Sequence, residues 1–257
     1  MKREAWTTMG SFRIPGSLGI TETSGLILQI LPGAPSSRAQ KVLVAAYKRI
    51  RNSTPPARQA IPLSDDARIL AATAYGEASL DNVFEEMAAI ANVLVRQQKA
   101  RGYKSISAFI STDKNFAYAA HDGNERYKQF MAAGESQIAA SKGMAAALKG
   151  AINALSPVPV DYSGGAYFWD GADIKSNYEK HAKVRGGIRF SKVAHNIYEI
   201  KEKEVPGEEW WRDAQGKKTK LRGQWKYKYE STAAWGGTIF WKYNQDFLTA
   251  TGNKEYN

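Results

Sequence analysis

Two helices are predicted by one stretch of the chain, residues 65–99: DDARILAATAYGEASLDNVFEEMAAIANVLVRQQK. Its apolar residues recur three and four positions apart, which is the spacing of one buried helix face. We expect the first helix to run from about Asp65 to Glu77. The second begins at Asn82 as its N-cap, with Glu85 positioned for a capping box, and continues to the end of the stretch. The residues on the two buried faces are Ile69, Leu70, Ala71, Ala74, Tyr75, Val83, Met87, Ile90 and Leu94.

Glu77 is a lone carboxylate among apolar residues at the end of the first predicted helix. Apolar surroundings remove hydration from a carboxyl group, so its charged form is disfavoured and its pKa rises. Such a group holds a proton near neutral pH and can act as a general acid, as one carboxyl group does in glycoside hydrolysis. The alternative is a helix-end Glu that points into water, which composition alone favours.

Further helices and then strands are predicted along the rest of the chain. The Ala-rich segment 136–155 has a helical pattern, whereas segments 164–170, 194–200 and 237–243 have the composition of strands. The charged segment 201–226 contains three Gly residues and predicts an exposed hairpin. We therefore predict an α+β fold that is mainly α, with a small antiparallel β region toward the C-terminus.

Composition and charge narrow the classes of function. The chain has no Cys, which excludes disulfides, thiolate nucleophiles and Cys-based zinc sites. Its formal net charge of +11 predicts attraction to anionic polymers. Residues 175–228 hold 15 Lys and Arg against 7 Asp and Glu, and six of the seven Trp lie between Trp169 and Trp241. This pattern suits stacking on sugars or bases, and it equally suits a solvated basic face with core tryptophans.

Five short motifs follow one another between residues 66 and 200. They are Tyr75-Gly76-Glu77-Ala78, Val93-Leu94-Val95-Arg96, Asn115-Phe116-Ala117, Gly165-Ala166-Tyr167-Phe168 and Ala194-His195-Asn196-Ile197-Tyr198. In this order they resemble the SleB/CwlJ-type cell-wall hydrolases, as a distant relative. The resemblance implies a lysozyme-like helical core, catalysis by Glu77 and a structural role for Arg96 at a helix end.

The second catalytic group is left open by the sequence. An inverting glycosidase needs another carboxylate roughly 6.5 to 9.5 Å from the acid, and a retaining one needs it nearer. Asp81 is the first candidate, although it is equally suited to cap the second helix, and Glu86, Asp113 and Asp122 follow it. If no second acid acts, the sugar's own hydroxyl attacks instead, as in the lytic transglycosylases of this family.

Six further residues are predicted to bind the substrate. Polar side chains would bond sugar hydroxyls or acetamido groups, and aromatic rings would stack on the sugars. For some of them the alternative is a role in loop structure or in the core. They are Asn115, Phe116, Tyr118, Tyr167, Trp169 and His195.

Two other classes of function compete with a glycosidase. A metal-dependent amidase would use His121, His181, His195 and Asp122, but no two His have the spacing of a metal-binding helix. A non-catalytic wall-binding module would need only basic charge and aromatic rings. We expect no cofactor and no metal.

The expected organisation is an accessory N-terminal extension and helix over residues 1–63, then a lysozyme-like catalytic domain over residues 64–257. Its partners would be peptidoglycan glycan strands and the anionic cell-wall surface, with no nucleic acid, no membrane insertion and a monomeric state. No signal-type apolar segment follows Met1. We therefore expect export without a cleavable signal peptide, as a lytic toxin or phage-type endolysin acting in the periplasm or cell wall of a target bacterium.

Overall fold

The computed structural model of the protein describes residues 63–257. The predicted extension and helix over residues 1–63 therefore lie outside the described residues, apart from Leu63. The described part is mainly α, with a small sheet near the C-terminus, so the predicted fold class is confirmed.

Helices form the first half of this part and strands enter in the second half. The helices are α1 (Asp65–Glu77), α2 (Phe84–Ala100), α3 (Ile106–Thr112), α4 (Tyr118–His121), α5 (Glu125–Ala132), α6 (Glu135–Ala140), α7 (Lys142–Leu155), α8 (Asp173–Ser176), α9 (Ala182–Gly186) and α10 (Gln245–Thr251). The strands are β1 (Phe168–Asp170), β2 (Ile188–Arg189), β3 (Gly207–Arg212), β4 (Lys218–Trp225), β5 (Tyr229–Trp235) and β6 (Thr238–Tyr243). Short 3-10 turns lie at Lys114–Phe116, Tyr178–Lys180 and Val193–His195.

Helix α1 has the predicted bounds, and Ser64 caps it by accepting a hydrogen bond from the Ala67 N–H. The predicted capping box of α2 is wrong. Val83 is the N-cap residue and makes no side-chain cap bond. Asn82 lies before it with a φ of 56°, a left-handed conformation that Asn tolerates better than most residues.

The core is built where α1, α2 and α7 pack through small side chains. A Cβ at Gly150 of α7 would lie 3.0 Å from the Cα of Ala88 in α2, so a larger residue there would push the two helices slightly apart. The predicted helix over residues 136–155 is two helices, because Ser141 ends α6 and caps α7. Its hydroxyl accepts a hydrogen bond from the Met144 N–H.

The main sheet has the strand order β1-β6-β5-β2. Its pairs are antiparallel except for the short parallel pair of β2 with β5. Phe240 on β6 belongs to the helical core, while Ile239 and Trp241 pack in a second cluster on the other side of the sheet. The predicted strand over residues 237–243 is thus confirmed as β6.

Two other strand predictions have different outcomes. The hairpin predicted over residues 201–226 is confirmed as the antiparallel pair of β3 and β4. The strand predicted over residues 194–200 is wrong, because the chain forms a 3-10 turn and then a loop. The side chain of Asn196 bonds both the N–H and the C=O of Ile200, which takes the place of a strand partner.

Glu86 is a fully buried carboxylate that joins α2 to the turn between β5 and β6. It accepts hydrogen bonds from the N–H and hydroxyl of Ser79, the N–H of Gly237 and the hydroxyl of Thr238, at 2.6 to 3.1 Å. Gly236 in this turn has a φ of 54°, and a Cβ there would collide with the Glu86 carboxylate. A buried carboxylate with four donors is stabilised as a structural anchor.

We predict that Glu86→Gln lowers the free energy of unfolding by about 2 to 4 kcal/mol, because the new amide group faces donors rather than acceptors. Urea unfolding of the purified protein measures this loss. The matched control is Glu85→Gln on the same helix, where the side chain is half-buried, and we expect a change within about 0.5 kcal/mol. Equal stability of the two variants would contradict the anchoring role of Glu86.

Candidate active site

A cleft of about 510 Å³ lies beside the C-terminal end of α1. One wall carries Glu77 with residues of the segment after α3, and the other carries β1 with the residues that follow it. Three of the predicted site residues, Phe116, Tyr118 and Trp169, share this cleft with Glu77. The lining residues are Glu77, Phe116, Tyr118, Phe168, Trp169, Asp170, Gly171, Asp173, Lys183 and Thr238.

Glu77 is the last residue of α1, and its carboxyl group has one backbone donor. The Ala119 N–H donates to Oε1 over 2.7 Å. Burial raises the pKa of the Glu77 carboxyl above its ordinary value of 4.5, and the negative charge of Asp122 adds to this rise. Hydrogen bonds from the Ala119 N–H and from the Trp169 side chain oppose it. Because burial dominates, Glu77 keeps its proton to a higher pH than a surface Glu.

Gly76 lets the segment after α3 come close enough to reach Glu77. A Cβ at Gly76 would lie 2.7 Å from the Cβ of Ala119, which is too close for any other residue. Asn124 stabilises this contact between α1 and the segment after α3, because its side-chain amide donates to the Gly76 carbonyl over 3.1 Å. Its side-chain oxygen accepts from the Tyr127 N–H and so caps α5.

Arg126 fixes the chain immediately after Glu77. Its guanidinium donates to the carbonyls of Ala78 and Ser79 and to the side-chain oxygen of Asn82. The same group lies 4.0 Å from the ring centroid of Tyr75. The end of α1 is thereby held on both sides, so the Glu77 side chain is fixed at the cleft.

The other predicted catalytic residue, Asp81, is exposed in the turn after α1 and does not line the cleft. Tyr167 and His195 also lie elsewhere. Tyr167 packs under the guanidinium of Arg96, and the buried His195 bonds the hydroxyl of Ser231. The side chain of Asn115 lies outside the described residues.

The remaining candidates for the second acid have structural or solvent-exposed positions. Glu86 is the anchor described above, Asp113 forms an ion pair with Arg101 at 3.2 Å, and Asp122 is exposed.

Arg96 donates to Ser163 and to Asp161, which ties the end of α2 to the chain before β1.

Asp170 is the carboxylate that the sequence prediction missed. It is the last residue of β1, its side chain is 9% exposed, and it lines the cleft with Glu77. Lys183, in α9, lies 2.8 Å from its Oδ1. The sequence contains one indication of this position, because Asp170 directly follows Trp169, which was already predicted to bind the substrate.

His181 lies between two carboxylates at the same end of the cleft. Its Nε2 is 3.4 Å from Oδ1 of Asp170 and 3.3 Å from Oδ2 of Asp173. The contact with Asp170 raises the pKa of His181, and burial opposes that rise. Asp170, Asp173 and His181 each offer a ligand atom, and these atoms lie within 4.8 Å of one another, close enough to surround a metal ion. Within residues 63–257 this is the one such group of three His, Asp or Glu side chains. The ammonium of Lys183 is the cation that contacts Asp170 here.

The four residues of the amidase hypothesis do not meet at one metal site in the described structure. His121 contacts the carbonyl of Ile110 at 2.7 Å, and His195 bonds Ser231. Only His181 belongs to the trio with Asp170 and Asp173.

Comparison of the chain with protein-family models, with curated proteins and with solved structures finds no match. Among the helices of residues 63–257, none has the length and apolar composition that a membrane span requires.

We predict that Glu77→Gln stabilises the protein at neutral pH and leaves its stability unchanged in acid. The pKa of Glu77 is raised on folding, so wild-type stability falls as pH rises from about 4.5, the ordinary value, through the folded pKa. Gln cannot ionise, so the variant does not lose this stability as the pH rises. The loss in the wild type is about 1.4 kcal/mol for each tenfold difference in proton affinity between the folded and unfolded states.

Urea unfolding of both proteins at pH 4 and pH 8 tests this prediction, since the groups remote from Glu77 titrate alike in both proteins and cancel in the difference. The gap between the variant and the wild type should open as pH rises. A gap that is the same at both pH values, or a variant that is less stable at pH 8, would contradict burial as the dominant effect on Glu77.

Proposed function

We propose that this protein cleaves the glycan strand of bacterial peptidoglycan, with Glu77 as the general acid. The supporting observation is a buried carboxyl group of raised pKa on the wall of a cleft lined by aromatic side chains. Such a group keeps its proton until an oxygen that becomes basic in the transition state lies beside it. The bridging oxygen of a glycosidic bond is an acceptor of this kind.

The aromatic residues of the cleft support a sugar polymer as the substrate. Phe116 and Trp169 lie with ring centroids 6.5 Å apart, and Tyr118 is 61% exposed. Ring faces pack well against the C–H groups of sugars, and the tyrosine hydroxyl is free to bond a sugar hydroxyl. Phe116 also packs against the helical core, which keeps this surface rigid.

The positive net charge of the chain supports an anionic polymer, the bacterial cell wall, as the substrate that contains these sugars. On the β3–β4 hairpin, Trp211 is 55% exposed and lies under the guanidinium of Arg222 at 4.9 Å. Lys218 lies over Trp210 at 5.2 Å. Exposed cations and indole rings on one hairpin suit a polymer that has both carboxylates and sugar rings.

The proposal takes up the resemblance of the sequence motifs to SleB/CwlJ-type hydrolases, and the proposed role is that of a lysozyme-like lytic toxin or an endolysin domain. A lytic transglycosylase acting on the same bond would use Glu77 in the same way. A non-catalytic wall-binding module would use the hairpin and leave Glu77 without a role.

We predict that Glu77→Gln reduces the rate of peptidoglycan lysis at least about 100-fold, because the amide has no acidic proton to give. The substitution keeps an oxygen that accepts from the Ala119 N–H. Clearing of a peptidoglycan suspension and mass spectrometry of the released fragments measure the rate. Sedimentation with insoluble peptidoglycan should show that binding persists.

The control is Glu125→Gln, which removes an exposed carboxylate at the start of α5 that pairs with Lys128 outside the cleft. Its lysis rate should equal that of the wild type. If Glu77→Gln clears the suspension as fast as this control, Glu77 is not the acid. If the wild type binds the wall without releasing any fragment, the binding module is the better account.

A further inference from the structure

His181 is a buried histidine whose ring nitrogens lack close hydrogen-bond partners. Its side chain is 10% exposed, and Nδ1 is buried with no hydrogen-bond partner among the described residues. Nε2 lies 3.4 Å from Oδ1 of Asp170 and 3.3 Å from Oδ2 of Asp173. Both distances exceed the roughly 2.7 to 3.2 Å of an ordinary N–H···O bond. The ring therefore points between two carboxylate oxygens without bonding either of them closely, although buried polar atoms nearly always have a partner.

These two separations match those of neighbouring ligands around a tetrahedral zinc ion. Zinc binds His nitrogen and Asp oxygen at about 2.0 to 2.2 Å, which places adjacent corners of the tetrahedron about 3.3 to 3.6 Å apart. The three ligand atoms of Asp170, Asp173 and His181 all lie within 4.8 Å of one another. A mixed set of imidazole and carboxylate ligands suits zinc, and three protein ligands leave the fourth position to a water molecule.

The backbone already holds the three residues at this spacing. Asp170 ends β1, Asp173 begins α8, and His181 immediately precedes α9. The Asp173 carbonyl accepts from the Asn177 N–H over 2.9 Å, and the Asn177 carbonyl accepts from the His181 N–H over 2.8 Å. Ligands that are positioned before an ion arrives need little further ordering, so less of the binding free energy is lost.

Lys183 is a cation that contacts this cluster, and it leaves ligand positions free. Its ammonium lies 2.8 Å from Oδ1 of Asp170 and stays near the rings of Phe168 and Tyr229, at 5.7 and 5.8 Å from their centroids. A carboxylate oxygen has two lone pairs, so Oδ1 can accept from the ammonium and also bind an ion. One ammonium offsets only one of the two carboxylate charges, so the cluster with a neutral imidazole still attracts a cation.

We infer that Asp170, Asp173 and His181 form a zinc site with one water molecule as the fourth ligand. The ion would join the end of β1 to α8 and α9, and so stabilise the part of the chain that supplies Asp170, Gly171 and Asp173 to the cleft wall. This site is independent of the reaction proposed for Glu77, and the sequence alone predicted no metal. The alternative is a protonated His181 that forms ion pairs with the two Asp.

The first experiment measures thermal unfolding of the full chain, without an affinity tag, after treatment with a chelator and desalting. Zn²⁺ at about 100 times its Kd should raise Tm by roughly 5 to 10 °C, because an ion that binds only the folded state stabilises it. Isothermal titration calorimetry with Zn²⁺ gives the Kd and should show one site per chain. A Tm that Zn²⁺ leaves unchanged would assign the trio to ion pairs and overturn the inference.

The second experiment uses Asp173→Asn, whose side chain is 66% exposed, so that the variant keeps its fold. Its Kd for Zn²⁺ should rise at least about tenfold, since even changes outside the ligand set cost about 10- to 100-fold. The rise in Tm with Zn²⁺ should disappear. Equal zinc affinity of this variant and the wild type would overturn the assignment.

Two control variants should bind Zn²⁺ as the wild type does. Asp65→Asn also removes an exposed Asp from the first position of a helix, here α1. His121→Gln removes a histidine that contacts the Ile110 carbonyl and lies outside the trio. Loss of zinc binding in either control would place the ion elsewhere and overturn the inference.

Cobalt reports the geometry of the site. Co²⁺ accepts the same nitrogen and oxygen ligands as Zn²⁺, and it absorbs visible light much more strongly when four-coordinate than when six-coordinate. We expect the strong four-coordinate spectrum in the wild type and in Asp65→Asn, and its loss in Asp173→Asn. A weak six-coordinate spectrum in the wild type would overturn the tetrahedral site.

Discussion

The close contact between the end of α1 and the segment after α3 is the constraint on which the site depends. Gly76 permits it, because any side chain there would collide with Ala119. The contact brings the Ala119 N–H to the Glu77 carboxyl and buries that group at the same time. A carboxylic acid keeps its proton when burial removes its hydration and hydrogen-bond donors do not fully replace the lost water. The close packing at Gly76 therefore also produces the raised pKa of Glu77.

Glu86 shows what the same residue type does in a different environment. Both Glu77 and Glu86 lie on helices of the core, nine positions apart in the sequence. Glu86 has four donors and anchors the turn at Gly236, whereas Glu77 has two, the Ala119 N–H and the Trp169 side chain, and faces the cleft. Thr238 links the two regions, because it donates to Glu86 and also lines the cleft. The number of donors, more than burial alone, distinguishes the structural carboxylate from the chemical one.

The sequence predicted the helices well where apolar periodicity is strong, as in α1, and it brought Glu77, Phe116 and Trp169 into one site. It failed where a tertiary contact replaces a local one. The capping box at α2 is absent because Arg126, from a distant helix, holds Asn82 instead. Asp170 was missed because no local pattern connects it to Glu77, and only the folded chain places both residues on the lining of one cleft.

We propose that a protonated Glu77 is the acid of the reaction, and the titration of Glu77 is the most direct test of this role. NMR of the full chain with ¹³C-labelled Glu, assigned with Glu77→Gln, gives the pKa of this carboxyl. The pH dependence of kcat/KM on a glycan fragment reports the groups of the free enzyme. We expect a pKa of Glu77 above 4.5 that coincides with the loss of kcat/KM on the alkaline side. A Glu77 that titrates at or below its ordinary value, or at a pH where activity does not change, would contradict it.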